Sequence, residues 1–247
     1  SDVVVLWGER CWYNMVARRV AAACHKPVLF LERAPFRGML VADDRGLDRS
    51  TSRVTECYEC TEEWDQQALD EWRVLAGFST IEPQSGGTMG DLLMEIGEGA
   101  QPYILVPLQV PFDTNMVFRT SGRVCDNLSL VRWAVETYPE ARILVKPHPA
   151  DVFTRPERLQ WEIEQAGATV VRCGLRDLLT LVDSVVSINS QVVVDAAIRG
   201  VPFTLMGDPG FWPRSENVNI DRWLYTLRWI YYIRPDQLAE RLLQCVR

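Results

Sequence analysis

Residues 142–149 read Arg-Ile-Leu-Val-Lys-Pro-His-Pro, and residues 184–191 read Ser-Val-Val-Ser-Ile-Asn-Ser-Gln. Each is a short, β-branched apolar run that stops abruptly in turn-forming or polar residues. That is the pattern of a strand buried on both faces, carrying functional groups to its carboxyl end. Helical periodicity fills the spaces around them, over 127–138, 155–166, 175–182 and 191–199, with a further strand pattern at 168–172. Gly200 closes the last of these helices ahead of a strand over 202–206. Strands and helices alternating through short loops specify a parallel, doubly wound α/β sheet.

The same alternation opens the chain. Val3-Val4-Val5-Leu6 ends at Trp7-Gly8, a helical pattern follows over 12–24, and a second apolar run occupies 27–31. Residues 38–64 read as polar and irregular, with Asp43-Asp44-Arg45-Gly46 as a turn. Helices are expected at 65–76 and 88–97, and a buried strand at 103–109. The tail beyond 222 holds two helical stretches. One is rich in aromatics (Trp223, Tyr225, Trp229, Tyr231, Tyr232) and reads as core or interface, with sugar stacking or membrane contact as the alternative. The expectation is two Rossmann-like domains facing a central cleft, 1–122 and 123–247, with a seam near 112–126. Neither half contains a glycine-rich dinucleotide fingerprint or a Walker sequence, which argues against a dehydrogenase or a P-loop NTPase.

Bulk composition narrows the function classes. Hydrophobic residues make up 47% of 247 and charged residues 24%, as in ordinary globular proteins. A net charge of -7 opposes non-specific nucleic-acid binding, which needs a positive field. No apolar run reaches the roughly 18 to 20 residues that span a bilayer, and the first residues do not pattern as a signal peptide. Seven scattered cysteines fit reduced thiols in a cytoplasmic protein. Cys57-x-x-Cys60 has a metal-like spacing, but His25 and His148 are the only histidines, so two ordinary thiols are expected.

Open α/β sheets bind ligands beyond the carboxyl ends of their strands. Gly8-Glu9-Arg10, Glu32, Asp113, His148 and the Asn189-Ser190 turn all fall at such ends. In Lys146-Pro147-His148-Pro149 the two prolines stiffen a turn that presents a cation and an imidazole, a combination suited to a phosphate. Asn189 or Ser190 can cap the following helix, whose free N–H groups favour an anion. Asp113 follows a buried strand and reads as a turn residue or a catalytic carboxylate. Glu32 precedes Arg33 and reads as an ion pair or a second carboxylate, the equipment of glycosyl transfer.

Three segments together carry a family likeness. Val106-Pro107-Leu108-Gln109-Val110-x-x-Asp113, Val145-Lys146-Pro147-His148-Pro149, and Ser187-Ile188-Asn189-Ser190-Gln191-Val192 with Ala196-Ala197-Ile198-Arg199-Gly200-Val201-Pro202 resemble the capsule polysaccharide biosynthesis proteins. Within these the chain most resembles the retaining β-Kdo transferases of capsule linkers and O-antigen termini. Trp7-Gly8, Phe30-Leu31-Glu32 and Asp43-Asp44-Arg45-Gly46 are similar to their N-terminal half.

The resemblance implies a GT-B-like α/β fold, a CMP-β-Kdo donor, no metal and no other cofactor. It assigns Asp113 as the nucleophile of a double displacement and Glu32 as acid/base for the acceptor hydroxyl. It puts His148, with Lys146, Pro149, Asn189, Ser190 and Gln191, on the CMP phosphate. Asp195 stands where the family often has a glutamate, and would reach a ribose hydroxyl. Arg10, Arg33 or Arg37 would hold the Kdo carboxylate through paired hydrogen bonds. The implied acceptor is a glycan or lipid-linked glycan, in the cytoplasm or at the inner face of the bacterial inner membrane, with peripheral association as an option. The chain is short for a two-domain transferase and starts at Ser1-Asp2, so an excised module of a larger multidomain enzyme is expected. Other readings are an inverting, sialyltransferase-like CMP-sugar transferase, a non-catalytic nucleotide- or glycan-binding module, and an epimerase preferring UDP.

Overall fold

The computed structural model describes residues 3–9, 11–36, 38–47, 53–76, 89–96, 101–111, 113, 116, 124–208, 210–213 and 217–245. The chain forms two compact units, Ser1–Thr80 with Pro209–Arg247, and Ile81–Asp208.

In the first unit β1 (Val4–Trp7) leads through α1 (Trp12–Ala23) to the parallel strand β2 (Val28–Arg33), and β3 (Leu40–Asp43) pairs antiparallel to β2. The helices α2 (Arg53–Glu59) and α3 (Gln66–Ala76) follow. β3 and α2 lie within 38–64, the stretch expected to be irregular. β3 has only three apolar residues, and its free edge is completed from the far end of the chain. Leu40 and Ile233 exchange both backbone hydrogen bonds, at 2.8 and 2.9 Å. Ile233 then joins Leu29, Leu31 and Ala42 in a buried cluster. α2 is held by the buried side chains Val54 and Tyr58, one helical turn apart.

The aromatic tail is core. α9 (Ile220–Tyr225) runs directly into a π-helical turn (Thr226–Tyr231), and a 3-10 turn (Pro235–Gln237) precedes α10 (Leu238–Cys245). Trp223, Leu224, Leu227, Tyr231 and Tyr232 are buried. The Trp223 indole N–H donates to the Phe211 carbonyl at 2.8 Å, and Arg222 stacks over the Tyr58 ring. The Tyr231 hydroxyl donates to Asp43 at 3.2 Å, and burial pushes both groups above their ordinary pKa ranges.

Glu9 is a buried structural carboxylate. It pairs with Arg18 and accepts from the Leu47 backbone N–H at 2.6 Å. Gly46 sits against it with φ of +138°, and a Cβ there would lie 3.0 Å from both carboxylate oxygens. Because Glu9 is pinned from two sides it cannot withdraw. Gly46→Ala is expected to destabilise the fold by about 1–3 kcal/mol, read as a lowered midpoint in urea unfolding.

The second unit is a five-stranded, all-parallel sheet in the order β6-β5-β4-β7-β8, comprising β4 (Tyr103–Pro107), β5 (Arg142–Lys146), β6 (Thr169–Val170), β7 (Ser184–Ser187) and β8 (Phe203–Leu205). The helices are α4 (Met89–Ile96), α5 (Asn127–Thr137), α6 (Pro156–Gln165), α7 (Leu175–Leu181) and α8 (Val192–Ile198). The helix starts are encoded locally. Asp126 and Ser129 form a reciprocal capping box on α5, and Pro156 opens α6. Val106, Leu130, Val131, Ile143, Val145, Ile163 and Val186 fill the core.

β4 is the central strand of this sheet, so the boundary expected at 122 and 123 falls inside the second unit. Parallel pairing of β4 with β5 and β7 outweighs its nearness in sequence to the first unit. Among the described residues no helix is long and apolar enough to cross a membrane.

Candidate functional site

The sheet order reverses between β4 and β7. Successive connections from β4 move one way to β5 and β6, then return to β7 on the other side. Such a switch point opens a crevice beyond the carboxyl ends of the two strands. Gln109 and Asn189 occupy those ends here. The Asn189 backbone N–H donates to the Gln109 side-chain oxygen at 3.4 Å. The Gln109 backbone is clamped in turn by the Asn127 amide, which donates to its carbonyl at 2.7 Å and accepts from its N–H at 3.1 Å. Asn127 is not among the residues expected at the site. Its one signal is an amide in the first turn of a well-capped helix.

The β5 tip carries Lys146-Pro147-His148-Pro149. His148 is half-buried, and its Nδ1 accepts from the Ala150 backbone N–H at 3.1 Å. That bond assigns the neutral ring's proton to Nε2, leaving an N–H donor on the other side of the ring. The loop is then fixed by Asp151, whose carboxylate accepts from the backbone N–H groups of Phe153 and Thr154 at 2.9 and 3.1 Å. A cavity of about 280 Å³ opens beside it, lined among others by Lys146, His148, Asp151, Thr154, Gln160 and Arg172.

Burial lowers the His148 pKa from its ordinary 6.5, and the negative charges of Asp113 and Asp151 oppose the shift. Asp113 is exposed, in a turn whose N–H donates to the Val110 carbonyl at 3.2 Å. Parallel pairing of β4 with β5, with Pro107 opposite Lys146, carries the chain leading to Asp113 and the His148 loop off the same end of the sheet.

A lowered folded-state pKa means that the unfolded chain takes up the proton first. The stability that neutral His148 contributes is complete above 6.5 and is lost as pH falls from there through the lowered folded value. Thermal melting of wild type and His148→Gln from about pH 7 to about pH 5 tests this. The wild type is expected to lose more stability across that window than the variant does.

Other expected residues are placed as follows. The Lys146 ammonium donates to the Cys173 carbonyl at 2.7 Å, so it ties the β5 tip to the loop after β6. Pro149 is exposed. Ser190 is half-buried, its N–H donating to the Ser187 hydroxyl at 3.0 Å and its own hydroxyl accepting from the Val192 N–H at 3.3 Å. Gln191 is exposed at the start of α8. Asp195 is buried in α8, and its charge acts on Arg199 one turn later, opposing the lowering of that guanidinium's pKa by burial.

Glu32 and Arg33 belong to the first unit. Glu32, expected to end its strand, is the next-to-last residue of β2, which closes on Arg33. Pairing with β3 sets Glu32 opposite Val41 and Arg33 opposite Leu40. Both are exposed. Arg10 and Arg37 lie outside the described residues. Cys57 and Cys60 line a second cavity in the first unit with Arg45 and Arg53, and burial raises the Cys57 thiol pKa. Among the described residues no three His, Cys, Asp or Glu side chains gather in a way that would hold a metal.

The second unit, which carries the His148 loop, Asp113 and the β7 turn, is also where the chain matches a known family. The model for capsule polysaccharide biosynthesis proteins covers residues 89–214, just over half of the 247. The chain belongs to the capsule polysaccharide biosynthesis protein family. Its structure is similar across 100% of its length to 86% of KpsC of Thermosulfurimonas dismutans, described as a beta Kdo 2,7 transferase, with a TM-score of 0.70 and 20% identity. A second KpsC structure from that organism, described as a beta Kdo 2,4 transferase, matches 93% of this chain and 80% of its own, with a TM-score of 0.59 and 15% identity. At these identities the likeness is one of fold. No curated protein sequence matches the chain.

Proposed function

We propose that this protein is a retaining β-Kdo transferase of capsule or O-antigen synthesis. It would move Kdo from CMP-β-Kdo to a glycan or lipid-linked glycan, on a GT-B-like fold. The observation that carries the reading is the arrangement at the carboxyl end of the β4-β5 pair, where the Asp113 charge acts on His148, His148 borders a cavity, and the sheet order reverses next to β4.

CMP leaves as an anion, so the site must meet charge that develops on the phosphate. His148, neutral and with Nε2–H directed away from the Ala150 bond, donates to a phosphate oxygen. Ser190 contributes a hydroxyl to the same group, and Lys146 adds positive potential from its anchored position. The exposed Asp113 carboxylate attacks C2 of Kdo on the face opposite CMP. The C2–O bond to phosphate breaks, and a Kdo–Asp113 ester forms. The acceptor hydroxyl then enters from the first face, with Glu32 taking its proton, and the two inversions give net retention. Arg10, Arg33 and Arg37 are the candidates for the Kdo carboxylate. The chemistry calls on no metal or other cofactor. The protein would act in the cytoplasm or at the inner face of the bacterial inner membrane.

Calorimetry with CMP and UDP is the first test. Binding of CMP, with UDP at least about tenfold weaker, supports the reading, whereas a preference for UDP removes the donor assignment.

A further inference from the structure

α1 holds an apolar row in solvent that the first unit does not use. Trp12, Val16 and Val20 follow one another at i, i+4 and i+8, with Tyr13 beside them, and all four are more than half exposed. Trp12 and Tyr13 pack edge to face with ring centroids 5.8 Å apart. The opposite side of the helix fixes its rotation. Asn14 and Ala21 are buried, and the Asn14 amide donates to the Trp7 and Gly8 carbonyls at 2.7 and 3.0 Å. Arg18 pairs with Glu9 and lies over the Phe30 ring. The apolar row is therefore held outward by the packing of the inner face.

Charge is segregated along the same stretch. The chain has 33 acidic and 26 basic residues, yet positions 10–31 contain no aspartate or glutamate and four cations, Arg10, Arg18, Arg19 and Lys26. Arg19, on the flank of the apolar row, and Lys26, just past the helix end, are exposed. Exposed tryptophan and tyrosine with aliphatic neighbours, edged by long cations and free of acids, is the composition of a helix lying in the headgroup region of an anionic bilayer.

We propose that α1 seats this protein on an anionic lipid surface, with Trp12, Tyr13, Val16 and Val20 inserted and Arg19 and Lys26 at the headgroups. This surface is independent of the transfer chemistry and stands whichever donor the protein uses.

Co-sedimentation of the 247-residue chain with vesicles tests it, using phosphatidylcholine alone and phosphatidylcholine mixed with phosphatidylglycerol. The wild type is expected to bind the mixed vesicles at least about fivefold more tightly than the neutral ones, and to release with added salt. Trp12→Ser with Val16→Ser, and separately Arg19→Glu with Lys26→Glu, should each weaken that binding by roughly tenfold or more. All four positions are exposed, so melting temperatures should stay at the wild-type value. The proposal is overturned if the wild type binds neither vesicle, or if the variants bind as well as the wild type. It is also overturned if sedimentation shows a wild-type dimer that Trp12→Ser with Val16→Ser dissociates while neither form binds lipid, because the face then belongs to a second copy.

Discussion

Asp113→Ala loses Kdo transfer by roughly a thousandfold or more in kcat, while its affinity for CMP stays within about twofold of wild type. The asymmetry follows from where the carboxylate acts. A nucleophile is needed only once the reacting carbon is in place, whereas the leaving nucleotide is held by other groups. Asp113 is exposed, and the hydrogen bond that shapes its turn comes from its backbone N–H, which alanine retains. The fold should therefore survive the change. A second readout checks that the residue was removed from the right place. Asp113 raises the His148 pKa against burial, so the His148 titration followed by NMR should move further down in Asp113→Ala. Full turnover in this variant would exclude it as the nucleophile.

His148→Ala is expected to fail earlier in the cycle. A hydrogen bond to a charged oxygen contributes about 1.5–3 kcal/mol, so the Kd for CMP should rise by roughly 10- to 100-fold. Turnover falls as well, because the same bond strengthens as charge develops on the departing phosphate. The imidazole is half-buried and its Nδ1 is already used by Ala150. A glutamine there can restore a donor but not the ring's fixed direction, and partial recovery in His148→Gln is the expected pattern. Unchanged CMP affinity in His148→Ala would move the phosphate site away from the β5 tip.

The second unit was largely legible in the sequence. Its strands are short β-branched runs ended by Pro147 or by Asn189-Ser190, so the period and the stop signal agree at each tip. The first unit was less so, because its sheet is finished by residues far apart in the chain. Leu40 finds its partner in Ile233, and no local pattern announces a three-residue apolar strand that is completed from the tail. Glu32, read as the last residue of its strand, lies one short of the end, because pairing with β3 carries β2 on through Arg33.

Side-chain destinations were harder still. Lys146 is the right residue type for a phosphate, but its ammonium reaches the Cys173 carbonyl, a contact set by the neighbouring strand's length. Asn127 emerged only once β4 and α5 were packed together, since its role is to clamp the Gln109 backbone. Asp195 has the residue type for a ribose contact, yet it is buried in α8.

Retention requires a covalent Kdo–enzyme intermediate, which intact-protein mass spectrometry detects as an adduct. Glu32→Gln, in which deprotonation of the acceptor is slowed, is mixed with CMP-Kdo in the absence of acceptor. A mass increase of one Kdo residue is expected, mapped by peptide analysis to Asp113 and missing when Asp113 is also replaced by alanine. Consumption of CMP-Kdo with acceptor by the wild type, with no adduct on either protein and inverted stereochemistry in the product, would contradict retention.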